Sequence, residues 1–221
     1  MPSTQTSTAA KKTALFDDDK EGQIYRTAAQ MIHERGFAAT SMNQIAEALE
    51  MTKPGLYYYV KGKKELLFKI TSYAMDRLDE AVVEPAARIQ DAEARLRSIV
   101  HGHARLLMSH VTALGILIDE VEALAPADKK VIVARKRNYL DLVRRTIDEV
   151  QSTYSGRKLD STVAAFSLLG MVMWLSRWFR PEGKLDAATV ADDITEIALR
   201  ALLRGDAAPT VPPVPFPVPA T

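Results

Sequence analysis

Residues 40–65, TSMNQIAEALEMTKPGLYYYVKGKKE, constrain the fold of this chain more than any other stretch. Ser41 can cap a helix, and Gln44 three residues on completes a capping box. Ile45, Ala48 and Leu49 give that helix one apolar side. Thr52 opens a second short helix, with Pro54 near its first turn, where a missing N–H costs little. Lys61-Gly62-Lys63 ends it. Two short helices joined by a tight turn suit a helix-turn-helix laid against DNA phosphates.

Charge supports this only locally. The chain carries 29 basic and 28 acidic residues, a net charge of +1, so the total gives no sign of a nucleic-acid partner. Between Met51 and Lys64, however, stand Lys53, Lys61, Lys63 and Lys64 and no acid; Glu65 is the first. A run of cations without acids is what phosphates require. Gly55 lets backbone approach a duplex closely. Tyr57, Tyr58 and Tyr59 are consecutive on a helix and point three ways. At least one must anchor in a core, and the others can offer hydroxyls to phosphate. Lys63 and the free N–H groups of the next helix can hold a further phosphate.

The rest of the chain reads as helix. Asp17 to Asp19 precede a periodic stretch in which Ile24, Ala28, Ala29 and Ile32 share a face, with Gly36 closing it. A longer helix is expected over 64–81, with Leu66, Leu67, Ile70, Ala74 and Leu78 inward. Further helices are expected over 88–110, 112–124, 128–154, 159–179 and 187–204. No useful strand alternation occurs, so the fold class is all-α. It comprises an N-terminal three-helix helix-turn-helix domain and a larger C-terminal helical domain for ligand binding and dimerisation, about nine helices together. The boundaries are a disordered arm over 1–17, the DNA-binding domain over 18–65, the second domain over 66–205, and a proline-rich disordered tail over 206–221.

Several function classes drop out. There is no cysteine, which excludes disulfides and thiolate metal sites and fits a reducing cytoplasm. The longest apolar run, over 163–175, falls short of the ~20 residues of a membrane span, and the N-terminus has no signal core. His101, His103 and His110 cannot share one metal without help from Asp119, Glu120 or Glu122: two face different ways and two lie two turns apart. Asp119, Glu120 and Glu122 read as a solvated or pocket-rim face. No phosphate loop, nucleophile elbow or paired metal motif appears, so neither an enzyme nor a cofactor is expected.

Gly36-Phe37, Thr40-Ser41-Met42, Ile45-Ala46-Glu47-Ala48, residues 52–60, Lys63 and Glu65-Leu66 together resemble the N-terminal signature of TetR/AcrR-family transcriptional regulators. The resemblance implies a cytoplasmic, homodimeric, ligand-responsive repressor bound to a palindromic double-stranded DNA operator. It implies phosphate contacts from Thr40 and Ser41, base contacts from Thr52, Lys53 and Gly55, and phosphate contacts from Tyr57, Tyr58 and Lys63. Where the family often has glycine in the turn, this chain has Glu50. Pro54-Gly55 and Tyr59-Val60 also depart from the common pattern, so operator preference does not carry over.

Residues 163–179 form the most apolar segment and are expected to be buried on most sides. By the same resemblance this helix and the last one build a dimer interface from Val163, Gly170, Met173, Leu199 and Leu202. Trp174, Arg177, Trp178 and Arg180 resemble the corresponding region of family members that sense acyl-CoA or steroid-derived CoA thioesters. Two readings stand: a site for an apolar or acyl-CoA ligand at Trp174, Arg177 and Trp178, or interface packing. The rival class is an all-α dimeric adaptor or ligand-binding protein without specific DNA binding.

Overall fold

The computed structural model describes residues 20–109, 116, 120–153 and 158–203. The arm, the tail, His110, Asp119 and most of the expected 112–124 helix lie outside them. All regular elements among the described residues are helical.

Helix α1 spans Lys20–Arg35 and buries Ile24, Ala28, Ala29 and Ile32. It stops because Gly36 adopts a φ of +84°, which only glycine takes without strain, while its N–H still reaches Ile32 O at 2.8 Å. Helix α2, Met42–Ala48, carries the expected capping box in full: Ser41 Oγ accepts from Gln44 N and Gln44 Oε1 from Ser41 N. Helix α3 is Lys53–Tyr59, with Thr52 as its N-cap. Helix α1 packs against α4, Lys63–Leu78, while α2 packs on α1 and α3 on α2, with Leu66, Leu67 and Ile70 of α4 buried.

The α4 rod does not simply end. It widens into a π-helical turn, Asp79–Val83, and resumes as α5, Glu84–Ala87. Pro85 explains the widening: its ring would clash with the carbonyl four residues back, and a π turn moves that carbonyl aside. The carbonyl is that of Ala81. A Cβ at Gly102 would sit 3.3 Å from it, so glycine there lets the next helix cross closely.

That helix, α6 (Ala92–Ser109), is the centre of the larger half. It packs against the π turn and against α7 (Pro126–Ser152), α8 (Ser161–Trp178) and α9 (Ala187–Leu203). Leu96, Ile99, Val100, Ala104 and Leu107 are buried along it. Asp160 caps α8 by accepting from Thr162 N and Val163 N at 2.9 and 3.0 Å. Asp186 does the same before α9, accepting from Ala188 N and Thr189 N. Arg135 of α7 grips Asp76 of α4 at 2.8 Å and Asp79 of the π turn at 2.5 Å, tying the two rods together.

Two expectations change. Of the helix expected over 112–124, Ile116 is helical and Val121–Ala123 forms a 3-10 turn, so the described end of that stretch is not α-helical. The most apolar helix, α8, is not wrapped on most sides within one chain. Ala164, Ala165, Leu168, Val172 and Leu175 face the core, while Val163, Phe166, Trp174 and Trp178 stay exposed. The most widely contacted helix is α6, which packs against the π turn, α7, α8 and α9 while Arg97 and Arg105 stay exposed.

Candidate DNA-reading face and ligand cavity

The face begins with what holds α3 down. Leu56 and Val60 are buried, as are Met42, Ile45 and Ala46 of α2. With that side fixed, Ser41, Asn43, Gln44, Lys53, Pro54, Tyr57, Tyr58, Lys61 and Lys64 are left on the outside. Tyr58 is 85% exposed and Tyr57 41%, large values for aromatic rings that nothing in the fold requires to be outside. Tyr59 is the half-buried member of the three and meets the edge of Tyr58 at 5.2 Å between ring centres. Thr52 Oγ1 accepts from Gly55 N at 3.2 Å. A Cβ at Gly55 would lie 3.1 Å from that oxygen, so a side chain there would crowd the cap as well as the approach to a duplex.

The turn between α2 and α3 contains a backbone oddity. Glu50 has a φ of +52°, the single positive value at a non-glycine among the described residues. Its left-handed conformation lets Met51 N bond Ala46 O at 2.9 Å and redirects the chain into α3. The position is the one where the family resemblance calls for glycine. An ordinary L residue is strained there.

Thr40 and Lys63 are placed differently from expectation. Thr40 is 1% exposed, and its hydroxyl lies within hydrogen-bonding distance of Met31 O and Gly36 O. It locks the turn after α1 and does not face outward. The Lys63 ammonium donates to the carbonyls of Phe37, Ala38 and Thr40 and lies 4.2 Å above the Phe37 ring. Its protons close the same turn, so a phosphate role would require it to exchange partners. On the other side, Phe37 N donates to Glu120 Oε1 at 2.9 Å, a contact that sequence reasoning missed.

In the larger half, a cavity of about 530 Å³ opens among α4, α6, α7 and α8. Met75, Leu78, Leu107, Leu140, Leu169 and Met173 make most of its wall. Two polar rings are set into that wall. His103 and Tyr139 are each 7% exposed, and Tyr139 Oη lies 3.0 Å from His103 Nδ1. Burial pulls the imidazole down to about 4 and pushes the phenol up, so both are neutral near pH 7. Lys136 and Arg137 also line the cavity. Burial lowers the Lys136 pKa, against the opposing pull of Glu122. The sequence signal was present: Tyr139 lies on the apolar stripe of Ile132, Val143 and Ile147, and His103 on that of Ile99, Val100 and Leu107.

The tryptophan cluster does not line that cavity. Trp174 is 64% exposed and borders a shallow apolar groove with Gly170, Met171, Ile194 and Ile197. Trp178 is exposed and meets the edge of Phe179. Among the expected interface residues, Val163 and Gly170 are on the outer face, Leu202 is half-buried, and Met173 turns into the cavity. Leu199 is buried inside the chain, because α9 uses that face against α6.

Comparison with known proteins fits this geometry. Residues 24–70 match the family of bacterial regulatory proteins of the tetR family. Residues 90–202 match the tetracyclin repressor-like C-terminal domain. The HTH-type transcriptional repressor KstR2 of Rhodococcus jostii (strain RHA1) is 26% identical over 193 residues, 84% of this chain and 95% of that protein. The structure of AibR in complex with isovaleryl coenzyme A and operator DNA is 34% identical, with a TM-score of 0.74 over 81% of this chain and 97% of AibR. KstR2 of Mycobacterium tuberculosis shares the fold with a TM-score of 0.80 over 87% of this chain and all of that one. Homologues of this kind regulate transcription and do not catalyse reactions. The chain belongs to the TetR family of bacterial transcriptional regulators.

Proposed function

We propose that this protein is a homodimeric repressor that leaves a palindromic operator when an apolar small molecule, or the acyl chain of an acyl-CoA, enters the cavity beside His103 and Tyr139. The observation that carries the reading is the α3 face. Lys53, Tyr57 and Tyr58 stand outside while Leu56 and Val60 hold the helix to the core, and no acid occurs between residues 51 and 64. Thr52, Lys53 and Gly55 meet base edges, and Ser41, Tyr57 and Tyr58 meet phosphates.

Dimerisation uses the open face of α8 and α9, where Val163, Phe166, Trp174 and Ile197 are exposed. Two α3 segments then enter successive major grooves about one helical turn, or a multiple of it, apart. Phe166 and Gly170 line the cavity and also lie on that outer face, so a bound ligand touches the elements that set the spacing of the two heads. Repression falls as far as the ligand prefers the wrong spacing over the right one. The relation to AibR, whose structure holds isovaleryl coenzyme A and operator DNA, supports this ligand class. The adaptor alternative leaves the acid-free stretch 51–64, with Lys53, Lys61 and Lys64 exposed, without a use.

A gel shift on the gene's own upstream DNA tests the proposal. Retardation at low salt, reversed by an acyl-CoA mixture, is expected. No retardation at low salt would rule out the repressor.

A further inference from the structure

The cavity contains a recognition element of its own. In a mainly apolar wall, the buried Tyr139 hydroxyl on α7 lies 3.0 Å from Nδ1 of the buried His103 on α6, the two rings edge to face. Buried polar groups of this kind cost stability unless they have partners. The pair has two mobile hydrogens, one on the imidazole and one on the phenol. One is used between the rings. In one tautomer the phenol donates to Nδ1, and Nε2–H is left over. In the other Nδ1–H donates to the phenol oxygen, and the phenolic O–H is left over. Either arrangement leaves one donor, from a pair that carries no charge.

We propose that His103 and Tyr139 read a single uncharged carbonyl, that of an ester, thioester or ketone, on a ligand whose portion inside the cavity is otherwise hydrocarbon. The inference rests on the cavity being the effector site of the function proposed above. A neutral donor in a dry wall satisfies a neutral carbonyl fully. It offers no counter-charge to a carboxylate, and a pure hydrocarbon leaves the donor without a partner. The cations that line the cavity, Lys136 and Arg137, give a carboxylate a competing place, which the experiment separates.

The test uses the full chain and three probes of similar length: methyl decanoate, decanoate and undecane. Affinities are measured by calorimetry, and the ester C=O stretch is read by infrared spectroscopy of the complex. The ester is expected to bind roughly five- to tenfold more tightly than the alkane, the ratio given by one net hydrogen bond, and more tightly than decanoate. Its C=O band should fall to the hydrogen-bonded position. In the variant carrying His103→Phe and Tyr139→Phe, the ester-to-alkane ratio should collapse towards one and the band should return to its position in hydrocarbon solvent. Equal binding of ester and alkane, tighter binding of decanoate, binding of no probe, or an unshifted band in the native protein each overturns the inference. The band in the native protein decides the matter even if the double variant fails to fold. Operator retardation without ligand is scored separately. An intact shift without carbonyl preference sinks this inference alone, and carbonyl preference without a shift sinks the repressor alone.

Discussion

The carboxylate of Glu120 accepts a 2.9 Å hydrogen bond from the backbone N–H of Phe37, 83 residues earlier in the chain. Phe37 is the residue whose carbonyl and ring also hold the Lys63 ammonium. One turn is therefore gripped from the larger half by Glu120 and from the first residue of α4 by Lys63, so the two halves meet directly at the base of the helix-turn-helix.

Glu120→Ala removes that grip. The ligand-induced drop in operator affinity is expected to shrink several-fold, since coupling needs a contact that differs between states. Stability should fall by about 1 kcal/mol. Glu120→Gln keeps an acceptor oxygen and should retain most of the coupling. The readout is operator affinity with and without ligand; equal coupling in all three proteins would show that the contact does not transmit.

Glu50→Gly should stabilise the protein by about 1 kcal/mol, raising Tm by about 2–4 °C, because the φ of +52° strains any L residue. It should also tighten operator binding, since an exposed acid beside phosphates is lost. Glu50→Ala separates the two effects: it removes the charge and keeps the strain. Thermal melts and binding isotherms on the three proteins check both.

His103 makes stability depend on pH. Its folded pKa, pulled to about 4 by burial, lies below the ordinary value of 6.5 that the unfolded chain regains. Between these values the unfolded chain binds more protons. Stability is therefore full above about pH 6.5 and falls as pH drops through 4, by about 3 kcal/mol. Denaturant titrations of native protein and His103→Phe should show the slope in the first and lose most of it in the second.

Trp174→Glu places a charge on the exposed face of α8 that the dimer is proposed to cover. The variant should sediment as a monomer and bind operator at least tenfold more weakly, with its helical content unchanged. A dimer that survives the change would move the interface elsewhere.

The amount legible in the sequence differs between the halves for a physical reason. Ser41, Gln44, Thr52, Pro54 and Gly36 act on backbone within three or four residues, so local spacing reveals caps and turns. The Glu120–Phe37 and His103–Tyr139 contacts join residues 83 and 36 apart, and nothing in the neighbourhood of one names the other. The family resemblance implies a phosphate contact from Thr40, but its hydroxyl is taken by the turn behind it. Trp174 and Trp178 lie off the cavity because of helical phase. Phe166 and Met173, seven residues apart, share the cavity face, while Trp174 is turned about a quarter-circle away.

In the proposed repressor, the face of α3 that bears Lys53, Tyr57 and Tyr58 binds DNA as a pair. Fluorescence anisotropy of the labelled upstream palindrome, titrated over a series of salt concentrations, tests it most directly. Two chains per operator are expected, with log affinity falling linearly with log salt. Lys53→Ala should flatten that slope by about one and, like Tyr57→Ala, reduce binding steeply while leaving the dimer intact. Failure to bind at low salt, or native affinity in both variants, would contradict the account.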